Sequence, residues 1–431
     1  MIFKELIKKL DAGNKVGITS VCSANQFVIE ASMLHAKEND YKLLIESTSN
    51  QVDQFGGYTG MTPKDFTMYV SSIASRINFP IDSLILGGDH LGPNVWQNQN
   101  SEIAMSNAED QIEAYISAGY SKIHLDTSYA LADDEIQNEV LATKIITERA
   151  AHLCEVAERT FDKIGVGSKP IYVIGTDVPI PGGAIDNDEE IKLTTAIELE
   201  ETIELSKAAF YKRGLEDAWE RVIAVVVQPG VEFSDSKILP YYREKNKELI
   251  YKIQSYNNLH LEAHSTDYQS SGALSQMVED DFAILKVGPW LTFALREALF
   301  SLAYIEDEVL KYKSKMNPSK LTKVLEIEMN TNPKYWKNHY HGNENEISIA
   351  RSYSYSDRIR YYWSNTNVDN SVSKLISNLD EITIPESLLN QFLPIQYKEL
   401  REGKIKNNPK SFIISKISEV LSIYHFATGE K

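Results

Sequence analysis

The sequence predicts an α/β protein built as a (β/α)8 TIM barrel with a small α-helical C-terminal extension. Three observations lead there. Eight short apolar runs alternate with eight stretches of helical apolar spacing by residue 315. The runs are nearly continuous rather than alternating, as in strands of a parallel sheet buried on both faces. Each run closes in polar or turn residues, the end at which such barrels build their sites.

The first fifteen residues, MIFKELIKKLDAGNK, read as an amphipathic charged helix and not as a signal peptide. The strand-like runs are KVGITSVCS (15–23), YKLLIEST (41–48), SLILGGDH (83–90), SKIHLDTS (121–128), IYVIGTDVP (171–179), VIAVVVQPG (222–230), HLEAHST (260–266) and FAILKVGP (282–289). Helical spacing covers 24–37, 62–78, 103–118, 135–163, 189–213, 236–255, 268–279 and 291–314. An open doubly wound sheet is the alternative, but no glycine-rich dinucleotide fingerprint follows the first strand. After residue 316 tyrosine and tryptophan become dense, and SVSKLISNL (371–379) and SFIISKISEVLSIYHFA (411–427) have helical periodicity. The expected division is a barrel over 1–315 and an aromatic-rich helical region over 316–431 that packs on the barrel's outside or covers its mouth.

Composition narrows the function. With 44 basic and 61 acidic residues the formal net charge is −17, which disfavours nucleic acid and anionic lipid as partners. An anionic sugar phosphate stays possible at a locally positive site. Cys22 and Cys154 share no metal-type spacing and read as ordinary thiols of a reducing compartment. No apolar run approaches the length of a membrane span, so a cytoplasmic protein is expected.

The polar residues gather at the predicted strand ends: Glu46 and Thr48 on strand two, Asp89 and His90 on three, His124 and Asp126 on four, Thr176 and Asp177 on five, Gln228 on six, Glu262 and His264 on seven, Lys286 on eight. Residues two apart share a strand face, so His124 with Asp126, and Glu262 with His264, can point inward together. Asp89 and His90 are adjacent and would diverge in a regular strand; a bend at Gly92-Pro93 is expected to bring both to the mouth. One histidine at a strand end is more often a satisfied core residue than a ligand. Three, each within two residues of an acid, point to a site. Buried charge needs a partner or a metal, and histidines with a carboxylate suit zinc or another divalent ion. His35 and His152 on helices, His425 near the C-terminus and His260 at a strand start are not candidates; His339 and His341 are expected at the surface.

Three loops look suited to substrate. Residues 50–66, which include Gln51, are rich in glycine and amides and resemble a binding loop, although a plain connector with Thr62 as helix cap accounts for much of it. STDYQSSGA (265–273) offers Ser270, Ser271 and Gly272, and KVGPWLT (286–292) offers Gly288 beside Lys286. Phosphate sites of such barrels are often built after strands seven and eight.

Taken together, SVCSAN, IESTSNQVDQFGGYTGMTP, GGDHLGPN, KIHLD, YVIGTDVPIPGG, VVVQPGVEF, EAHSTDYQ, ILKVGPWLTFALREALF and YSDRIRYYW resemble the Z-subunit family of tagatose-1,6-bisphosphate aldolase over nearly the whole chain. The resemblance implies a barrel related to class II aldolases and a role in galactitol or N-acetylgalactosamine breakdown. There the Z subunit supports the activity and stability of a separate catalytic Y subunit; some relatives are metal-dependent epimerases at C4 of ketohexoses. It further implies that Asp89 moves a proton, that His90 and His264 bind zinc, and that the loop after strand seven holds phosphate. The departure is strand six, where Gln228-Pro229-Gly230 stands in place of a third zinc histidine. His124 or Glu262 is then the expected substitute ligand, with Glu262 also a proton carrier. Glu46, Gln51, Asp126 and Gln228 complete the expected lining. The expected partners are the Y subunit, a ketose or ketose phosphate and a second copy of the chain.

Overall fold

The computed structural model describes residues 2–136, 141–176, 178, 191–311 and 316–429. Eight parallel strands close a barrel: β1 (Ile18–Cys22), β2 (Leu43–Thr48), β3 (Leu84–Leu91), β4 (Lys122–Leu125), β5 (Ile171–Ile174), β6 (Val222–Val227), β7 (His260–Ala263) and β8 (Phe282–Val287). Each pairs with the next, and β8 pairs with β1 through Ile18–Ile284 and Ser20–Lys286. The predicted barrel is therefore the observed one.

The helices begin with α1 (Ile2–Asp11), α2 (Gln26–Asn39), α3 (Pro63–Arg76), α4 (Ser101–Ser117), α5 (Thr143–Ile164) and α6 (Ala196–Lys212). They continue with α7 (Glu216–Trp219), α8 (Lys247–Ile253), α9 (Ser271–Glu279) and α10 (Pro289–Leu310). Thr62 caps α3 as expected, in a reciprocal capping box with Asp65. The helix expected over 236–255 is shorter. Two-residue strands, Glu232–Phe233 and Ile238–Leu239, pair as a hairpin, and regular helix starts only at Lys247. Pro240 has no N–H to give a helix and disfavours helical backbone at the residue before it.

Beyond the barrel lie α11 (Leu321–Thr331), α12 (Glu344–Tyr353), α13 (Thr366–Asp380), α14 (Glu386–Phe392), α15 (Pro394–Arg401) and α16 (Pro409–Thr428). The last helix packs on α2, α9 and α10. His425 stacks on Tyr41 with ring centroids 4.8 Å apart, and His35 lies 3.1 Å from the Ser422 hydroxyl. The N–H of Gly17 donates to the Thr428 carbonyl at 2.8 Å, tying the approach to β1 to the last turn of the last helix.

The barrel interior is layered, as inward-facing side chains of such strands are. Ile18, Leu44, Ile85, Val173, Ala224 and Ile284 form an apolar cluster that Leu10 of α1 joins, with Leu6 and Ile7 packed against it. Two residues further along the strands the chemistry changes. Leu44 is followed by Glu46, Ile284 by Lys286 and Ile18 by Ser20.

Candidate functional site

The polar layer is a closed charge network. Lys122 Nζ lies 2.7 Å from Glu46 Oε1 and 2.7 Å from Glu262 Oε2, and all three side chains are fully buried. Lys286 Nζ reaches Glu46 Oε2 at 3.1 Å and Glu262 Oε1 at 3.3 Å, and also pairs with Asp89. Ser20 donates to Glu46 Oε1 at 2.7 Å. Gly87 makes room here, because a Cβ on it would lie 2.7 Å from Glu46 Cγ. Ammonium groups and carboxylates so placed satisfy one another where water cannot. Burial disfavours the Lys286 charge, yet Asp89, Glu262 and Glu46 hold its ammonium well above the usual lysine range. Burial likewise opposes the Glu262 carboxylate, and Lys122 and Lys286 overcome it, so that it stays ionised well below the usual range.

Above this layer stand three histidines. The His90, His124 and His264 rings have centroids 4.8 to 5.2 Å apart. Asp89 Oδ1 bonds His124 Nδ1 at 2.8 Å, Asp126 Oδ2 bonds His90 Nδ1 at 2.7 Å, and Glu262 Oε1 lies 3.0 Å from His264 Nε2. Asp89 and His90 do converge, but the turn is at His90 itself and not at Gly92-Pro93. His90 has φ +50°, a left-handed conformation that histidine rarely adopts, and the β3–β4 register shifts between Gly88 and Leu91. The bulge replaces alternation and brings the His90 backbone nitrogen to 3.2 Å from His124 Nδ1. Gly92 instead permits a close pass, since a Cβ there would sit 1.8 Å from the Asp126 carbonyl oxygen.

Electrostatics separates His264 from His90. Burial and then Lys286 push His264 down to about 3, leaving a neutral imidazole. Burial opposes the His90 charge too, but Asp89 and Asp126 outweigh it and raise its pKa. Asp126 is pulled to about 2 against burial, chiefly by His90. Burial resists ionisation of Asp89, and His90 and Lys286 override it and hold its carboxyl well below the ordinary range.

Asp89, His124, Glu262 and His264 each place one donor atom within 4.8 Å of the others, and all four are buried. His124 Nε2 is buried without a hydrogen-bond partner. Two carboxylates and two imidazoles, one of them with an orphaned ring nitrogen, fit a divalent cation. His90, expected as a ligand, stands beside this set: Asp126 takes its Nδ1, and its Nε2 lies 3.7 Å from Asp89 Oδ2. Asp89 and Glu262, expected as proton carriers, belong to the donor set itself.

A cavity of about 80 Å³ opens over His90 and His264, lined among others by Asp89, Lys286 and Gly288, with Thr48 from the end of β2 and Gln51 of the expected binding loop. Glu46, His124, Asp126 and Glu262 lie outside its lining. Gln228 is also outside. Its side chain folds back to accept the Gly230 N–H at 2.8 Å and its carbonyl accepts from Thr194, so it shapes the loop after β6. Ser270, Ser271 and Gly272 are exposed and away from the cavity; Ser270 caps α9 by accepting the Ala273 N–H at 3.2 Å. Of the two polar residues expected to close strand five, Thr176 bonds Thr202 at 2.5 Å and Asp177 lies outside the described residues.

Among the lining residues with no assigned role in the sequence are Cys22, Tyr58, Asp267, Arg360 and Tyr361. Arg360 and Tyr361 sit in the short 3-10 helix Arg358–Tyr362, and Arg360 donates to the Tyr361 hydroxyl at 2.9 Å. Tyr361 packs edge-on against Tyr58 at 4.8 Å and stacks on Tyr335 at 4.7 Å. The aromatic segment thus walls the mouth, one of the two placements expected of it. Cys22 and Cys154 are both free thiols, and the Cys22 thiol, pushed up by burial, lies 3.9 Å from Asp89 Oδ2. No helix among the described residues is long and apolar enough to cross a membrane.

Comparison with known proteins adds a family and a near relative. The family model described as D-tagatose-1,6-bisphosphate aldolase subunit GatZ/KbaZ-like matches residues 3–429. The crystal structure of a probable tagatose 6 phosphate kinase from Sinorhizobium meliloti 1021 is 42% identical, with a TM-score of 0.86 over 96% of this chain and 100% of that one. Fainter likenesses, both 12% identical, are to the fructose-bisphosphate aldolase of Campylobacter jejuni (TM-score 0.46, 88% of this chain and 92% of that one) and to the fructuronate-tagaturonate epimerase UxaE of Cohnella laeviribosi (TM-score 0.45, 97% and 82%).

Proposed function

Because the chain belongs to the D-tagatose-1,6-bisphosphate aldolase subunit GatZ/KbaZ-like family, we propose that it is the Z-type subunit of a class II aldolase. It assembles with a catalytic Y subunit and sustains that subunit's activity and stability in tagatose 6-phosphate, galactitol and N-acetylgalactosamine breakdown. The single observation carrying this reading is a family match over nearly the full length. Co-expression tests it. The Y subunit's aldolase activity and half-life should rise with this chain present, and unchanged values would end the proposal.

A second reading is favoured by the buried donor set beneath an open cavity, which a pure scaffold does not need. Here the chain is itself a metal-dependent ketohexose or ketohexose-phosphate 4-epimerase of retro-aldol type. Asp89, His124, Glu262 and His264 would hold the ion, zinc or another divalent metal. When bound, such an ion supplies Lewis acidity toward a ketose carbonyl and its neighbouring hydroxyl. His90, oriented by Asp126, gives and takes a proton at a substrate oxygen bordering the cavity. Lys286 and Arg360 bind substrate oxygens, and Tyr58 with Tyr361 restricts water. The acidic groups at the cavity, Asp89 and Asp267, speak for sugar hydroxyls and against a seat for the nucleotide that a kinase requires. Metal analysis followed by incubation with fructose, tagatose and their phosphates tests this; metal-replete protein that exchanges no isomers would remove it.

A further inference from the structure

The loops after β7 and β8 are where the sequence pointed to a phosphate site, and the structure puts a carboxylate there. Asp267 is buried, 3% exposed, and borders the cavity. Its Oδ1 accepts the Gly288 N–H at 3.0 Å and the Trp290 N–H at 2.8 Å. Those two groups open α10, a helix of 22 residues whose own N-terminal residue offers no side-chain cap. Unpaired N–H groups at the start of a long helix attract anions, and here the attraction is answered from within the chain.

The loop that carries Asp267 is built to put it there. Ser265 and Tyr268, on either side, have φ of +52° and +64°, which bulky residues adopt only where surrounding structure holds them. Thr266 between them donates to the Lys286 carbonyl at 2.5 Å and bonds the Tyr424 hydroxyl of α16 at 2.9 Å. Tyr268 donates to the Tyr355 carbonyl at 2.6 Å. The carboxylate is thus positioned from β8, from the last helix and from the aromatic segment.

We propose that Asp267 fills the anion seat of α10, so that the cavity takes a free hydroxyl and excludes a phosphate at that end of a bound ketose. A phosphate brought to the same two N–H groups would have to displace Asp267 or lie against its charge, and like charges side by side discriminate strongly. A hydroxyl meets an acceptor instead. The inference rests on the reading that the cavity receives a ketose. It further implies that a ketose phosphorylated at both ends is not a ligand of this barrel, so that the bisphosphate of the aldolase reaction belongs to the catalytic partner.

Calorimetric titration of the full chain with its divalent ion tests this, using D-tagatose, D-tagatose 6-phosphate and D-tagatose 1,6-bisphosphate, alongside thermal unfolding in inorganic phosphate. The wild-type chain should bind the bisphosphate roughly 100-fold more weakly than the better of the other two. Asp267→Ser should close most of that gap, and inorganic phosphate should then raise its melting temperature while leaving the wild type unmoved. Asp267→Asn, which keeps an acceptor for both N–H groups and removes the charge, should lie between and serves where the serine variant does not fold. Equal wild-type binding of all three sugars, or equal stabilisation of wild type and both variants by phosphate, would overturn the inference. If no sugar binds any form but phosphate stabilises the Asp267 variants alone, the filled seat stands and the ketose reading fails.

Discussion

Two layers of one barrel interior, two residues apart along β2 and β8, hold together in opposite ways. The lower layer, from Ile18 to Ile284, is apolar, and its members need only the right volume. The upper layer, Glu46, Lys122, Glu262 and Lys286, is charged, and each member is tolerable only because the others are present. A loss below leaves a void; a loss above leaves a bare charge. The lower layer is therefore graded in its response to substitution, and the upper one is close to all-or-none. The candidate donor set shares Glu262 with the layer that tolerates change least, and the cavity borders Lys286 of the same layer.

Four measurements break or sharpen this contrast, taken from the largest expected effect. Lys122→Met leaves Glu46 and Glu262 with Lys286 as the single ammonium between them and strips Glu262 Oε2 and Glu46 Oε1 of their 2.7 Å cation, and urea unfolding should show a loss of about 3–5 kcal/mol. A loss below about 1 kcal/mol would mean that the upper layer is as forgiving as the lower. Next, His124→Ala removes the ring whose Nε2 has no partner in the fold. Zinc affinity by competition titration should fall more than about 100-fold, beyond what outer-shell groups contribute, with a smaller change in stability.

The third uses a titrating control outside both layers. Burial, with His425 nearby, lowers His35 to about 4. Unfolded chains take up a proton near the ordinary value of 6.5 while the native one does not, so the His35 contribution is complete above 6.5 and is lost as pH falls toward 4. The loss should be about 1–2 kcal/mol after allowance for screening. His35→Gln should flatten that limb of the stability profile. The smallest effect belongs to the lower layer: Ile284→Val should cost about 1 kcal/mol and leave zinc binding unchanged.

The barrel was legible in the sequence because burial on both faces writes strands as unbroken apolar runs, and nothing else in the chain imitates eight of them. The gathering of Asp89, His124, Glu262 and His264 was legible for a related reason, since period-two spacing fixes which strand residues share a face. The position of His90 beside this group was not. It hangs on the backbone of His90, and a left-handed histidine carries no mark that separates it from an extended one. Ser270 was ambiguous, because a serine that caps a helix, as it does here, and a serine that holds a phosphate look alike in one dimension. The hairpin at 232–239 was hidden under apolar residues at accidental helical spacing, although Pro240 was the available warning. Arg360 and Asp267 were both visible as charges, in YSDRIRYYW and EAHSTDYQ, but only the packing of distant segments makes either one a wall of the cavity.

That wall sets an order of events during synthesis. A ribosome delivers all eight strands by Val287, and the barrel interior then has every side chain it needs. Tyr361 and Arg360 emerge later, and the Thr428 carbonyl that receives the Gly17 N–H later still. The nascent barrel therefore waits, with its mouth unroofed, until the segment that carries Arg360 and Tyr361 has been made.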